Sequence, residues 1–349
     1  MKNLSKRFRE IDSSGMYDRV VAFPDQVEEA VSLARGCRFP VAGDIQNVII
    51  CGMGGSAIGG DLAKDYLIDN LEIPVEVSRE YRLPAYAGEK SLVLISSYSG
   101  NTEETISSMR DAIRKGAALF FISTGGEVKK LADSRQIPGL TVPRGYQPRE
   151  ALAFSFLPIL HFLGYFCTGL DLAAAASEAV DVLRGLSAGL RVPDEGNEVF
   201  TLARRLKDHF PVIYSQSRFF SSVVTRWRSQ LSENSEILSS TNCLPELDHN
   251  EIMGWGENED LLNRCHVVFL KDPGFHERVL LRWQLTREII DTKAEGVTEV
   301  ESEGDGLLAR MLSLIYKGDF VSLYLSYLYG VDPTPVVRIE FLKDRLSGN

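Results

Sequence analysis

Cysteine is scarce in this 349-residue chain: the five present, Cys37, Cys51, Cys167, Cys243 and Cys265, are odd in number, scattered and mostly set in apolar runs. That usage offers no disulfide framework and fits reduced thiols. A basic excess is also missing, because 38 lysines and arginines face 48 aspartates and glutamates, for a formal net charge of −10. Nucleic acid is therefore not an expected partner, although an acidic surface does not prevent one locally positive pocket from holding an anion. No stretch is expected to span a bilayer, which takes about 20 apolar residues. Met1-Lys2-Asn3-Leu4-Ser5-Lys6-Arg7-Phe8 leads into no apolar core of signal-peptide length. The expected location is the cytoplasm.

What is present is the composition of a globular protein, 44% apolar and 25% charged, at a length that suits two domains better than one core. Between residues 46 and 142 short apolar runs alternate with amphipathic ones, the pattern of a parallel sheet with crossover helices. Strands are expected near 48–51, 75–77, 92–96, 118–122 and 140–142, and helices over 57–68, 103–115 and 127–134. Two helical stretches follow, at 150–166 and 172–190, then the polar break Pro193-Asp194-Glu195-Gly196-Asn197. After it the order restarts: a helix at 198–207, a strand at 211–214, the turn Ser215-Gln216-Ser217 and a helix over 219–231. This repeats the first strand, small-residue turn and helix without its glycines, as a degenerate duplication would. Strands at 265–270 and 297–300, helices at 277–291 and 306–329, and a final helix within 332–346 complete a second α/β unit.

Two turns carry chemistry. Val48-Ile49-Ile50-Cys51-Gly52-Met53-Gly54-Gly55-Ser56-Ala57 is a strand running through glycines into a helix, which aims bare amides at an anion over the helix start. The same residues match a dinucleotide fingerprint, so a dehydrogenase reading stands beside a phosphate one, and tight helix–sheet packing beside both. The second turn, Ser96-Ser97-Tyr98-Ser99-Gly100-Asn101-Thr102, ends a strand and opens a helix. One such residue suffices for a helix cap; this density of hydroxyls suits a monophosphate. Both turns fall at the carboxyl ends of strands, where open α/β sheets bind ligands, so they can serve one site.

Ser97-Tyr98-Ser99-Gly100-Asn101-Thr102 resembles the phosphate loop of the sugar isomerase (SIS) domain. Together with 142–152, Gln230-Leu231-Ser232-Glu233-Asn234, 245–252 and Asp332-Pro333-Thr334-Pro335-Val336, it resembles the bifunctional phosphoglucose/phosphomannose isomerases, over about 47–346. Departures are Ala153, where the family often has Gly, and Ser232, where Asn is common. The resemblance implies two doubly wound α/β domains of SIS type, each a mainly parallel sheet flanked by helices. An N-terminal domain would span 1–170, a helical linker 171–197 and a C-terminal domain 198–349. It implies a cofactor-free aldose–ketose isomerase taking hexose 6-phosphates, built as a homodimer in which His249 can come from the partner chain.

Such an enzyme opens a hemiacetal ring, then moves a proton between C1 and C2 through an enediol. The resemblance assigns Glu233 as the base and His249 to ring opening, roles that suit a carboxylate and an imidazole. It assigns Arg149 to the charge developing on the enediolate oxygen, worth about 3 kcal/mol for one good donor, and Lys343 to the same site. Gly54, Gly55, Ser56, Ser97, Ser99 and Thr102 are the implied phosphate cradle, and Thr334 is placed beside the C2 epimer. Read without the resemblance, Glu233, His249 and Lys343 fit better as a solvated carboxylate, a turn residue and a lysine complementing a helix dipole. Glu246, Asp248 and Glu251 flank His249, but no second histidine lies at ligand spacing, so no metal is expected. A sugar-phosphate sensor with no activity is the alternative, although 1–47 shows no DNA-binding pattern.

Overall fold

The computed structural model describes residues 8–39 and 44–347. Residues 1–7, read above for a leader, and the last two residues of the expected C-terminal domain lie outside the described residues.

The first sheet comprises β1 (Asn47–Cys51), β2 (Val75–Ser78), β3 (Ser91–Ser96), β4 (Ala118–Ser123) and β5 (Gly139–Thr141). All pairings are parallel, in the order β2-β1-β3-β4-β5. β1 and β3 are almost wholly buried, as the unbroken apolar runs Val-Ile-Ile-Cys and Leu-Val-Leu-Ile require when helices cover both faces. The second sheet has β6 (Phe210–Gln216), β7 (Ser240–Leu244), β8 (Cys265–Lys271) and β9 (Gly296–Glu301), again parallel, in the order β7-β6-β8-β9. β7, Ser-Thr-Asn-Cys-Leu, has no counterpart among the expected strands. It is an edge strand, half-buried over most of its length, so its polar residues need no apolar alternation.

In each sheet the first strand lies between the second and the third, so the chain crosses to opposite sides beside β1 and beside β6. Crevices open at the carboxyl ends of strands at such reversals. The first crevice collects the glycine turn after β1 and the serine loop after β3.

The units share their main core. Helix Leu152–Leu163 packs between helices Gly54–Leu67 and Phe23–Gly36, while helix Leu307–Tyr329 packs against Leu172–Leu190, Glu198–Leu206 and Ser217–Asn234. From Met311 to Tyr327 the long helix is buried continuously. Gly318 permits this closeness, since a methyl group there would lie 2.5 Å from Trp227 Nε1. Residues 151–170 contain no Asp, Glu, Lys or Arg, a run of bilayer length that the sequence expectation passed over. The structure divides it into helix Leu152–Leu163, with Pro158 inside, and the short turn Gly164–Phe166. Among the described residues no helix is long and apolar enough to cross a membrane.

Candidate active site

Gly54 and Gly55 open the helix after β1, so their amides have no carbonyl four residues back. At Gly55 any side chain would collide with the chain leading into Arg149, because an added Cβ would sit 2.5 Å from the Pro148 carbonyl oxygen. Ser56 is buried, and its Oγ accepts from the Tyr98 amide at 3.1 Å, which ties the glycine turn to the serine loop. The Tyr98 hydroxyl donates to the Pro143 carbonyl at 2.9 Å and accepts from the Tyr146 amide at 3.2 Å, tying that loop to the segment before Arg149.

Within the loop the hydroxyls have separate tasks. Ser97 is buried, donates to Thr102 Oγ1 at 3.0 Å and accepts from the Gly100 amide at 3.1 Å, so it shapes the loop from beneath. Ser99 is exposed and accepts from the Asn101 amide at 3.2 Å. Thr102 stands at the cap position of helix Glu103–Arg114 without a side-chain capping bond. It is therefore not an ordinary hydroxyl cap, while Glu103 and Glu104 do complement the helix dipole.

Arg149 and Glu233 meet next to these two turns. Arg149 is 2% exposed; its Nε donates to Asn234 Oδ1 at 2.7 Å and one terminal nitrogen donates to the carbonyls of Pro333 and Thr334 at 2.5 and 2.9 Å. The other terminal nitrogen lies 3.7 Å from Glu233 Oε2. That distance is an ion pair and is too long for a hydrogen bond, so the two groups balance in charge without being joined. Burial pulls the Arg149 guanidinium below its ordinary value and Glu233 pulls it back; an arginine so placed stays protonated. Glu233 lies in the last turn of helix Ser217–Asn234, one residue before Asn234, and its side chain is 28% exposed. Thr334 is buried beside Arg149, with an Oγ1 that has no hydrogen-bond partner.

His249 and Lys343 stand apart from this cluster. His249 ends the short helix Glu246–His249, is exposed, and shares no hydrogen bond or ion pair with Arg149 or Glu233. Its neighbours are clamped: Asp248 accepts from Arg282 at 3.0 Å and from Thr286 at 2.8 Å, and Glu251 accepts from the Tyr214 hydroxyl and from Asn242 at 2.6 Å. Glu246 accepts from Asn250 at 2.8 Å. These carboxylates hold the loop in shape and leave the imidazole facing outward. Lys343 is exposed on helix Val337–Ser347, as are Phe341, Leu342 and Leu346.

Sequence reasoning quoted Gln230 and Asn234 within a motif but gave them no role, and it did not name Arg226. They recur every fourth residue on the helix that carries Glu233, and three polar residues at that spacing were the available signal; the structure buries all three.

Residues 195–346 match the family described as bacterial phospho-glucose isomerase C-terminal SIS domain. The chain is 41% identical, over 95% of its length and 99% of the relative's, to a bifunctional phosphoglucose/phosphomannose isomerase of Caldicellulosiruptor bescii. Identity to the protein of the same name in Aquifex aeolicus is 34%, over 86% of this chain and 91% of that one. Among solved structures, a glucose-6-phosphate isomerase like protein from Thermus thermophilus superposes with a TM-score of 0.62 at 19% identity, covering 94% of this chain and 95% of that one. At that identity the last match speaks for the fold alone.

Proposed function

The chain belongs to the bifunctional phosphoglucose/phosphomannose isomerase family, and we propose that the cluster of Arg149 and Glu233 beside the glycine turn carries out that reaction here. The protein is an aldose–ketose isomerase, interconverting glucose 6-phosphate and mannose 6-phosphate with fructose 6-phosphate. The observation that carries the assignment is the 3.7 Å gap between Arg149 and Glu233, a cation and a base held side by side next to free helix-start amides.

The phosphate sits over Gly54, Gly55 and Ser56, with the loop of Ser97, Ser99 and Thr102 closing over it, and this anchors the hexose. Ser97 contributes by holding the loop's shape, Ser99 by an exposed hydroxyl. Glu233 takes the proton from C2 of an aldose, or C1 of the ketose, and returns it to the neighbouring carbon. The Arg149 nitrogen facing Glu233 stabilises the negative charge that grows on the enediolate oxygen; its other donors are already used, which fixes the direction of the remaining one. Thr334, with an unpartnered hydroxyl, stands where either C2 epimer has to be accepted.

His249 exchanges the ring-oxygen proton. Its outward orientation supports delivery to the site of a second copy, and with it a homodimer; Lys343 reaches the sugar from the exposed C-terminal helix. We place the domain limits at 1–170, 171–197 and 198–349, supported by the two separate sheets, and the enzyme in the cytoplasm with no membrane or nucleic-acid partner. A coupled assay for fructose 6-phosphate tests the whole reading: turnover of both aldose phosphates is expected, and absence of turnover with either would leave only sugar-phosphate binding.

A further inference from the structure

Behind Arg149 lies a buried ionic group that the reaction does not touch. Arg226 is 3% and Asp319 5% exposed. One Arg226 nitrogen donates to both Asp319 oxygens, at 3.1 and 3.2 Å, and to the backbone carbonyl of Arg149 at 2.8 Å. Gln230 adds a donor to Asp319 at 2.8 Å. Asn234, which receives the Arg149 side chain, is itself anchored to Ser322 Oγ at 3.0 Å, and Ser322 donates to the Asp319 carbonyl at 2.9 Å. Arg226, Gln230 and Asn234 therefore form one face of the helix that bears Glu233, pressed onto Asp319 and Ser322 of the long buried helix.

Stability does not account for this arrangement. Buried ion pairs are often replaceable by apolar residues without loss, because desolvation offsets their attraction. Here Arg226 Nε and Gln230 Oε1 have no hydrogen-bond partner, an added cost in a buried group. What the arrangement does is geometric: the helix that carries the base also grips Arg149 at its backbone, through Arg226, and at its side chain, through Asn234.

We infer that Arg226 and Asp319, with Gln230, are positioning residues that set the Arg149 guanidinium at its distance from Glu233. The kinetic part rests on the isomerase reading above. It is tested with the full-length double variant Arg226→Met/Asp319→Leu, in which both charges leave together and the fold is expected to survive. In the same assay as the parent, kcat falls on the order of 100-fold, as expected for a reacting group displaced by about 1 Å, while KM stays within about threefold and the melting temperature does not fall. The nitrogen-15 NMR signal of the Arg149 Nε–H, protected in the parent by Asn234, exchanges freely with water in the variant. Should the double variant not fold, Gln230→Met, which removes one buried donor and one orphaned acceptor, is read in the same way, with kcat about tenfold lower at constant KM. A folded variant with kcat within threefold of the parent, or with the Nε–H signal still protected, overturns the inference. An inactive parent with a protected signal that the double variant loses would instead sink the isomerase reading and leave the positioning role standing.

Discussion

β1 and β6 each run through a short turn into a helix, and the two helix starts differ in what meets them. After β1, Gly54 adopts φ 50° and Gly55 lies against Pro148; among the described residues no protein carboxylate bonds to their amides. After β6, the turn has no glycine, Phe219 takes φ 69°, and the helix start is occupied by Asp65, whose Oδ2 accepts from the Ser221 hydroxyl at 2.8 Å and the Ser222 amide at 2.9 Å. Asp65 belongs to the helix that begins at Gly54. In the reading proposed above, one helix offers its first turn to a ligand's anion; from its last turns it supplies the carboxylate that meets the second unit's helix start. Arg218 and Asp69 add an ion pair at the same junction. An anion-binding helix start can serve recognition or docking, and what distinguishes the two is whether the protein fills it with its own carboxylate.

The largest expected effect concerns the far end of the second helix, where Glu233 lies. Glu233→Gln should lower kcat by about 10² to 10⁴, the usual range for a lost general base, with little change in the affinity for a competitive sugar phosphate measured by calorimetry; equal loss of both would contradict its role. At the first turn, Gly55→Ala places a methyl group 2.5 Å from the Pro148 carbonyl. The displaced Arg149 should cost kcat on the order of 100-fold, and an unchanged kcat would show that the turn and Arg149 are not mechanically joined. Ser97→Ala removes two bonds inside the serine loop. Each net hydrogen bond is worth about 1 kcal/mol, so losing both should raise KM about thirtyfold with kcat nearly constant, and a constant KM would take the loop out of the proposed cradle. At the second turn, Asp65→Ala should reduce stability by about 1 kcal/mol, as for a lost helix cap, in a urea titration, while kcat stays at the parent level. A large loss of kcat there would mean that the docking turn also governs the site.

Much of the sheet was legible because burial on both faces leaves unbroken apolar runs, as in β1 and β3. β7 was not, because an edge strand has no need of one. The glycine turn could be read as an anion site from its residues alone, yet its rivalry with a dinucleotide fingerprint ended only with the serine loop. Arg149, Glu233 and Thr334 were named through resemblance. Their contacts could not have been, since Arg149 meets Asn234 across 85 positions and Thr334 across 185. The same holds for Asp65 and Ser222, 157 positions apart, where nothing local signals that one helix caps another. Ser97 was expected to face the ligand with Ser99; its burial follows from the turn, which brings the Gly100 amide back onto its hydroxyl.

The most direct test follows deuterium from heavy water into fructose 6-phosphate and its products by proton NMR, with the parent enzyme and with Glu233→Gln. The account predicts that the parent forms both glucose 6-phosphate and mannose 6-phosphate carrying solvent deuterium at C2, and that Glu233→Gln binds the sugar without labelling it. A parent that forms neither aldose phosphate, or a Glu233→Gln variant that labels at the parent's rate, would contradict it.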